Sequence, residues 1–230
     1  MIYHIAERDN DFTMRDLAKD WVRPLARSLQ TINTHQLAMA TKMPRGVYLF
    51  TDMERQPRLQ LDLQGQVYDQ LEADGGSKLF NRPVKALDRF ALLQTLYDLG
   101  RNSFRAFPAL EVPKDMRFPV FLRIAKDHGG SHTPLLNNWA EYEEAVCRLS
   151  LASRPLEHML AIEYVDVSCE PGVFAKYGAY RIGDKIIPRG MFYSTEWMQK
   201  SRDNVTAFRA EEKWAYLQDN PHAAELMEVF

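Results

Sequence analysis

The stretch that most constrains this chain is Phe118 to Leu135, FPVFLRIAKDHGGSHTPL. Phe118, Val120, Leu122 and Ile124 alternate with Phe121 and Arg123, a period of two that predicts a buried strand. Arg123 then falls on the face opposite Val120 and Leu122. An arginine inside so apolar a strand needs a partner, because an unpaired charge is costly to bury. The strand runs into Lys126, Asp127, His128, Gly129, Gly130, Ser131 and His132. Glycines let backbone N–H groups approach phosphate oxygens closely, and an arginine and a lysine offset phosphate charge. The loop by itself also reads as an ordinary surface turn, since Gly-Gly pairs are common in turns. For Arg123, phosphate is preferred over an acidic partner. His128 and His132 read as loop residues.

The flanks supply the context. Leu17, Trp21, Leu25 and Leu29 recur every four residues and predict a helix over Thr13 to Leu29, with a break or kink at Pro24. Gly46 to Thr51 reads as a strand. Val67, Gln70 and Leu71 suggest a helix ending at Asp74-Gly75-Gly76, and Lys78 to Arg82 a short strand stopped by Pro83. Leu87, Phe90, Leu93, Leu96 and Tyr97 form a helical stripe closed by Gly100, with Arg89 off that stripe and free to face a cleft or solvent. Phe104 to Pro108 is a further strand. Asn138 followed by Glu141 predicts a capped helix whose buried face holds Trp139, Tyr142, Val146 and Leu149. Met159 to Val165 is a second apolar strand and carries Glu163. Lys176 to Ile182 and Lys185 to Pro188 flank Gly183-Asp184, a two-residue hairpin signal. Trp197 to Lys200 and Glu211 to Leu217 read as helical, and Asn220-Pro221 opens a last helix.

Composition narrows the function classes. With 46% hydrophobic and 26% charged residues the chain can bury a core. A formal net charge of -2 gives no electrostatic basis for binding nucleic acid. Cys147 and Cys169 have no metal-type spacing and read as reduced thiols of a cytoplasmic protein. No apolar run reaches membrane-spanning length, and MIYHIAERDNDF lacks the apolar segment of a signal peptide. No HExxH and no GxxxxGK[ST] occurs.

Taken in order, Asp88 to Leu93 opening a helix, FPVFLR with its Gly-Gly-Ser loop, a helix, IEYVD, and a strand ending in RIGDKII resemble the ATP-grasp superfamily. The likeness lies in the branch around glutathione synthetase and related carboxylate–amine ligases, and covers roughly Arg82 to Ile187. It implies an α+β protein: a small α/β N-terminal module over 1–82, then an ATP-grasp-like two-lobed mixed sheet over 83–230. It implies ATP clamped between the lobes. Glu163 would accept from the adenine amino group, and the backbone of Tyr164 and Val165 would complete the hinge. Gly129, Gly130 and Ser131 would close over the phosphates. Arg89, Arg123, Lys126 and Lys200 would supply cations, with arginine at two places where such proteins often carry lysine. The implied reaction passes from ATP through an acylphosphate of an unknown carboxylate to an amide or thioester.

The superfamily's magnesium ligands are an acidic residue on one strand and a Glu-x-Asn on the next, near the end of the fold. After Ile187 no such pair of strands is expected, and Asp203-Asn204 lies in a polar stretch. The likeness therefore implies magnesium without ligands found for it in this chain. The alternative is a non-catalytic relative that serves as a binding or partner subunit or a homo-oligomer. An unrelated α+β domain that shares only strand and turn chemistry stays open.

Overall fold

The computed structural model describes residues 1–198 and 207–229. The chain divides into two compact units, Met1–Arg89 and Phe90–Phe230. The division falls after Arg89, seven residues beyond the boundary expected from the sequence (89 − 82).

The first unit is built on a parallel sheet. Its strands are β1 (Ile2–Ile5), β2 (Leu29–Ile32), β3 (Val47–Phe50) and β4 (Lys78–Phe80), in the order β2-β1-β3-β4. Ile5 lies opposite both Ile32 and Phe50. Tyr3, Ile5, Tyr48 and Phe50 share one face and bury against Val67, Tyr68 and Leu71 of helix α3 (Arg58–Ala73). The Tyr3 and Tyr48 rings stack at 4.8 Å. Full burial of each such large side chain contributes roughly 1.5–3 kcal/mol. The strand order reverses between β1 and β3, which leaves a crevice at their carboxyl ends.

The helix expected over Thr13 to Leu29 does not form. In its place stand α1 (Phe12–Asp16), a π turn over Leu17–Trp21 and a 3-10 turn over Arg23–Arg27. Pro24 has no N–H to continue a ladder, and Leu29 is taken by β2. Trp21 is 83% exposed, so the apolar stripe buries nothing there. Helix α2 (Thr34–Met39) is closed by a reciprocal capping box between Asn33 and Gln36.

The second unit carries α4 (Arg89–Asp98), β5 (Ala106–Pro108), β6 (Val120–Ile124), α5 (Trp139–Leu151) and β7 (Met159–Glu163). These strands form an antiparallel sheet in the order β5-β7-β6. Val120, Leu122, Met159 and Ala161 pack against Tyr142, Ala145 and Leu149 of α5. Asn138 caps α5, its side chain accepting from the Glu141 N–H at 3.0 Å, as the sequence predicts. A second antiparallel sheet joins β8 (Ser168–Glu170), β9 (Val173–Ile182) and β10 (Lys185–Ser194). Gly183 turns the β9–β10 hairpin with φ +60°, and β10 runs past the expected Pro188 to Ser194. Helix α6 (Ala207–Gln218) covers Met191 and Tyr193 through Tyr216, and α7 (Ala223–Val229) follows. Trp197 and Met198 lie in bends where a helix was expected; Lys200 lies outside the described residues.

The chain is α+β. Each sheet among the described residues is wholly parallel or wholly antiparallel, where mixed sheets were expected. The first unit joins neighbouring strands through crossovers. The second joins β9 to β10 by a two-residue turn and β6 to β7 through α5.

Candidate functional site

The register of β6 on β7 sets Phe121 opposite Ile162 and Arg123 opposite Leu160. Phe121, Leu160 and Ile162 cluster with Ala106 on the face turned away from α5. Arg123, two residues from Phe121, falls on that face by the alternation of the strand. Phe90, Leu93, Tyr164, Trp197 and Met198 pack against the cluster. The Trp197 ring lies 5.0 Å from Phe121 and 5.6 Å from Tyr164. Along β6 the face therefore passes from aromatic to cationic in two residues.

The loop after Ile124 is tied back onto β6. The His132 N–H donates to the Leu122 carbonyl at 2.7 Å, and the Leu122 N–H to the Thr133 hydroxyl at 3.0 Å. The Ser131 hydroxyl donates to the Thr133 carbonyl at 2.6 Å, with the Leu122 carbonyl at 3.2 Å. Its proton is thus directed at carbonyls, and it fastens the loop. The Gly129 N–H donates to the Asp127 carboxylate at 2.8 Å. Gly130 is buried with φ +102°, a conformation that only glycine adopts readily. Arg123 donates through Nη2 to the Asp127 carbonyl at 3.0 Å, and Lys126 is exposed. Arg123, Lys126, Gly129, Gly130 and Ser131 thus form one strand-to-loop segment.

Glu163 has another task. It is 3% exposed, and each carboxylate oxygen accepts from both neighbouring arginines. Oε1 takes Arg105 Nε at 2.9 Å, Arg105 Nη2 at 2.7 Å and the Arg117 backbone N–H at 2.8 Å. Oε2 takes Arg117 Nη2 at 2.5 Å, Arg117 Nε at 3.0 Å and the Arg105 backbone N–H at 2.9 Å. Burial works against the charged form, but the hydrogen bonds from Arg105 and Arg117 outweigh it and bring the pKa down to about 2. No lone pair is left for an adenine amino group, so the side chain anchors the strand end. The Tyr164 N–H is also engaged, donating to the Pro119 carbonyl at 2.8 Å. Val165 is exposed.

Glu163 lies opposite Val120, while the loop follows Ile124. The two therefore stand at opposite ends of β6, roughly 14 Å apart along the strand. Arg89 opens α4 but is counted with the first unit. Among the described residues no group of three or more His, Cys, Asp or Glu side chains is placed to hold a metal ion. Asp203 and Asn204 lie outside the described residues.

Sequence reasoning missed Arg105 and Arg117, although each stands just before an apolar strand, where a buried acid on the neighbouring strand could claim it. It also missed two clefts. One, of about 720 Å³, lies in the second unit beside Arg101, Tyr177, Tyr216, His222 and Glu225. The Tyr177 ring meets Tyr216 at 5.1 Å and His222 at 5.0 Å. The other, of about 320 Å³, lies in the first unit beside His4, Thr51 and Asp52. Both assemble residues far apart in the chain, so no local pattern announces them. No helix among the described residues is long and apolar enough to cross a membrane. No family model matches the chain, and no curated protein matches it.

Proposed function

We propose that the second unit binds ATP, as a relative of ATP-dependent carboxylate–amine or carboxylate–thiol ligases. The observation that carries this reading is the graded face of β6 and β7. Phe121, Ile162 and Tyr164 form an apolar and aromatic cluster covered by Trp197 at one end, and Arg123 with the Gly129-Gly130 loop brings a cation and a glycine backbone to the other. A purine ring and a triphosphate need that succession. The base meets Phe121 and Tyr164, where Trp197 now packs, and the hinge falls to the backbone at Val165, since the Glu163 carboxylate and the Tyr164 N–H are both engaged. Arg123 and Lys126 offset phosphate charge.

In the proposed reaction a substrate carboxylate oxygen attacks the γ-phosphorus. The bond to the β-γ bridging oxygen breaks and ADP leaves. An amine or thiol then attacks the acyl carbon and inorganic phosphate departs. The chain's contribution is positioning and charge stabilisation. The lobes of the resembled fold correspond in this reading to the two antiparallel sheets. Cys147 and Cys169 are both free and exposed, which supports a reducing, cytoplasmic setting.

A second reading is favoured by Glu163, whose carboxylate is wholly engaged by arginines. In it the unit holds a nucleotide without phosphoryl transfer and acts as a binding or partner subunit. Fluorescence titration with ATP tests the binding common to both. A Trp197-dependent change that vanishes in Trp197→Phe supports the site, and no such change contradicts it. ADP formation with a carboxylate panel then separates ligase from binding subunit.

A further inference from the structure

The crevice at the carboxyl ends of β1 and β3 holds a buried imidazole with one nitrogen unused. His4 is 3% exposed and lies opposite Leu49 and Thr31 in the sheet. The Thr51 hydroxyl donates to the Ile5 carbonyl at 3.1 Å. Its oxygen must then accept from His4 Nε2, 2.8 Å away. That arrangement assigns the hydrogen to Nε2 and leaves Nδ1 a lone pair; in the opposite tautomer the Thr51 hydroxyl would turn to donate to Nε2. Nδ1 is buried and meets no hydrogen-bond donor among the described residues.

The surroundings state what kind of donor would fit. Burial holds the His4 pKa below its ordinary value, while the charges of Asp11 and Asp52 pull the other way. The imidazole is thus a neutral acceptor in a negative field. Asp52 closes β3 with φ +61° and accepts from Asn10 Nδ2 at 2.5 Å. Arg55 donates to Asn10 Oδ1 at 2.7 Å and approaches Asp52 at 3.8 Å. Phe12, Met14 and Leu49 give the cleft apolar walls. Its volume of about 320 Å³ lies at the lower end for small-molecule sites.

We propose that this crevice binds a small primary amine, whose ammonium N–H donates to His4 Nδ1 and whose carbon stem lies on Phe12, Met14 and Leu49. The rim carries two acids, Asp52 and Glu54, against one cation, Arg55, which favours a positive ligand. A carboxylate in the same place would face those acids and a nitrogen with no proton to give. The site lies wholly in the first unit and stands independently of the nucleotide reading of the second.

The test is a titration of the full chain, with nitrogen-15-labelled histidine, followed by NMR. The probes are n-butylammonium, butyrate and 1-butanol. The expected result is a saturable shift of His4 Nδ1 with n-butylammonium that butyrate does not produce. Asp52→Asn keeps the left-handed backbone, which asparagine tolerates, and should weaken the amine roughly tenfold. Thr51→Val removes the acceptor for Nε2–H and should weaken the amine while circular dichroism shows the fold retained. The proposal is overturned if n-butylammonium leaves Nδ1 unmoved, if butyrate moves it equally, or if the unliganded protein carries the hydrogen on Nδ1.

Discussion

Arg105 Nη2 stands 2.7 Å from Glu163 Oε1 at the common end of the second unit's first antiparallel sheet. Arg105 immediately precedes β5, Arg117 precedes β6 by three residues, and Glu163 is the last residue of β7. One carboxylate therefore ties three strand ends together. Breaking a buried pair by removing one charge typically costs about 3–5 kcal/mol. Glu163→Gln is expected to lower unfolding stability at neutral pH by about 3 kcal/mol, read from urea melts.

The same carboxylate sets an acid limb. Its pKa lies at about 2 in the folded protein against 4.5 ordinarily. The folded state thus holds this proton more weakly than the unfolded chain. The stabilisation is complete above about pH 4.5 and is lost as pH falls toward 2, a change of about 3 kcal/mol. Urea midpoints across that range should fall for the natural chain, and the slope should flatten in Glu163→Gln.

Burial separates two large residues that look alike in the sequence. Leu122 is fully buried between β6 and α5, so Leu122→Ala should cost about 2–5 kcal/mol. Trp21 is 83% exposed, and Trp21→Ala should change stability by about 0.5 kcal/mol at most. Equal losses in the two melts would contradict the packing described.

Helix α5 depends on its cap. The Asn138 side chain accepts from the Glu141 N–H, and the Glu141 carboxylate takes the Asn137 N–H at 2.8 Å and Asn138 Nδ2 at 2.9 Å. Asn138→Ala should cost about 1 kcal/mol, measurable as a lower thermal midpoint.

Local chemistry made much of the second unit readable. The alternation around Leu122 gave β6, Asn138 with Glu141 gave the start of α5, and Gly183-Asp184 gave the hairpin. Residues acting at long range were not readable in this way. Pro24 announced a break in the helical spacing around Trp21, but nothing local shows that Leu29 would pair with Ile2. Glu163 was legible as a buried acid near a strand end, but its partners lie 58 and 46 residues away, so a structural clamp and a ligand contact read alike. His4 is one polar residue among apolar ones, and its contact with Thr51, which leaves Nδ1 without a partner, joins residues 47 positions apart.

The segment from Arg123 to Ser131 is where the nucleotide reading stands or falls. Calorimetric titration of ATP into the natural chain and into Arg123→Ala, each with and without magnesium, tests it most directly. The account predicts saturable binding to the natural chain, weakened roughly tenfold or more in Arg123→Ala by the loss of a charge-assisted contact. Absence of binding, or equal affinity in the two proteins, would contradict it.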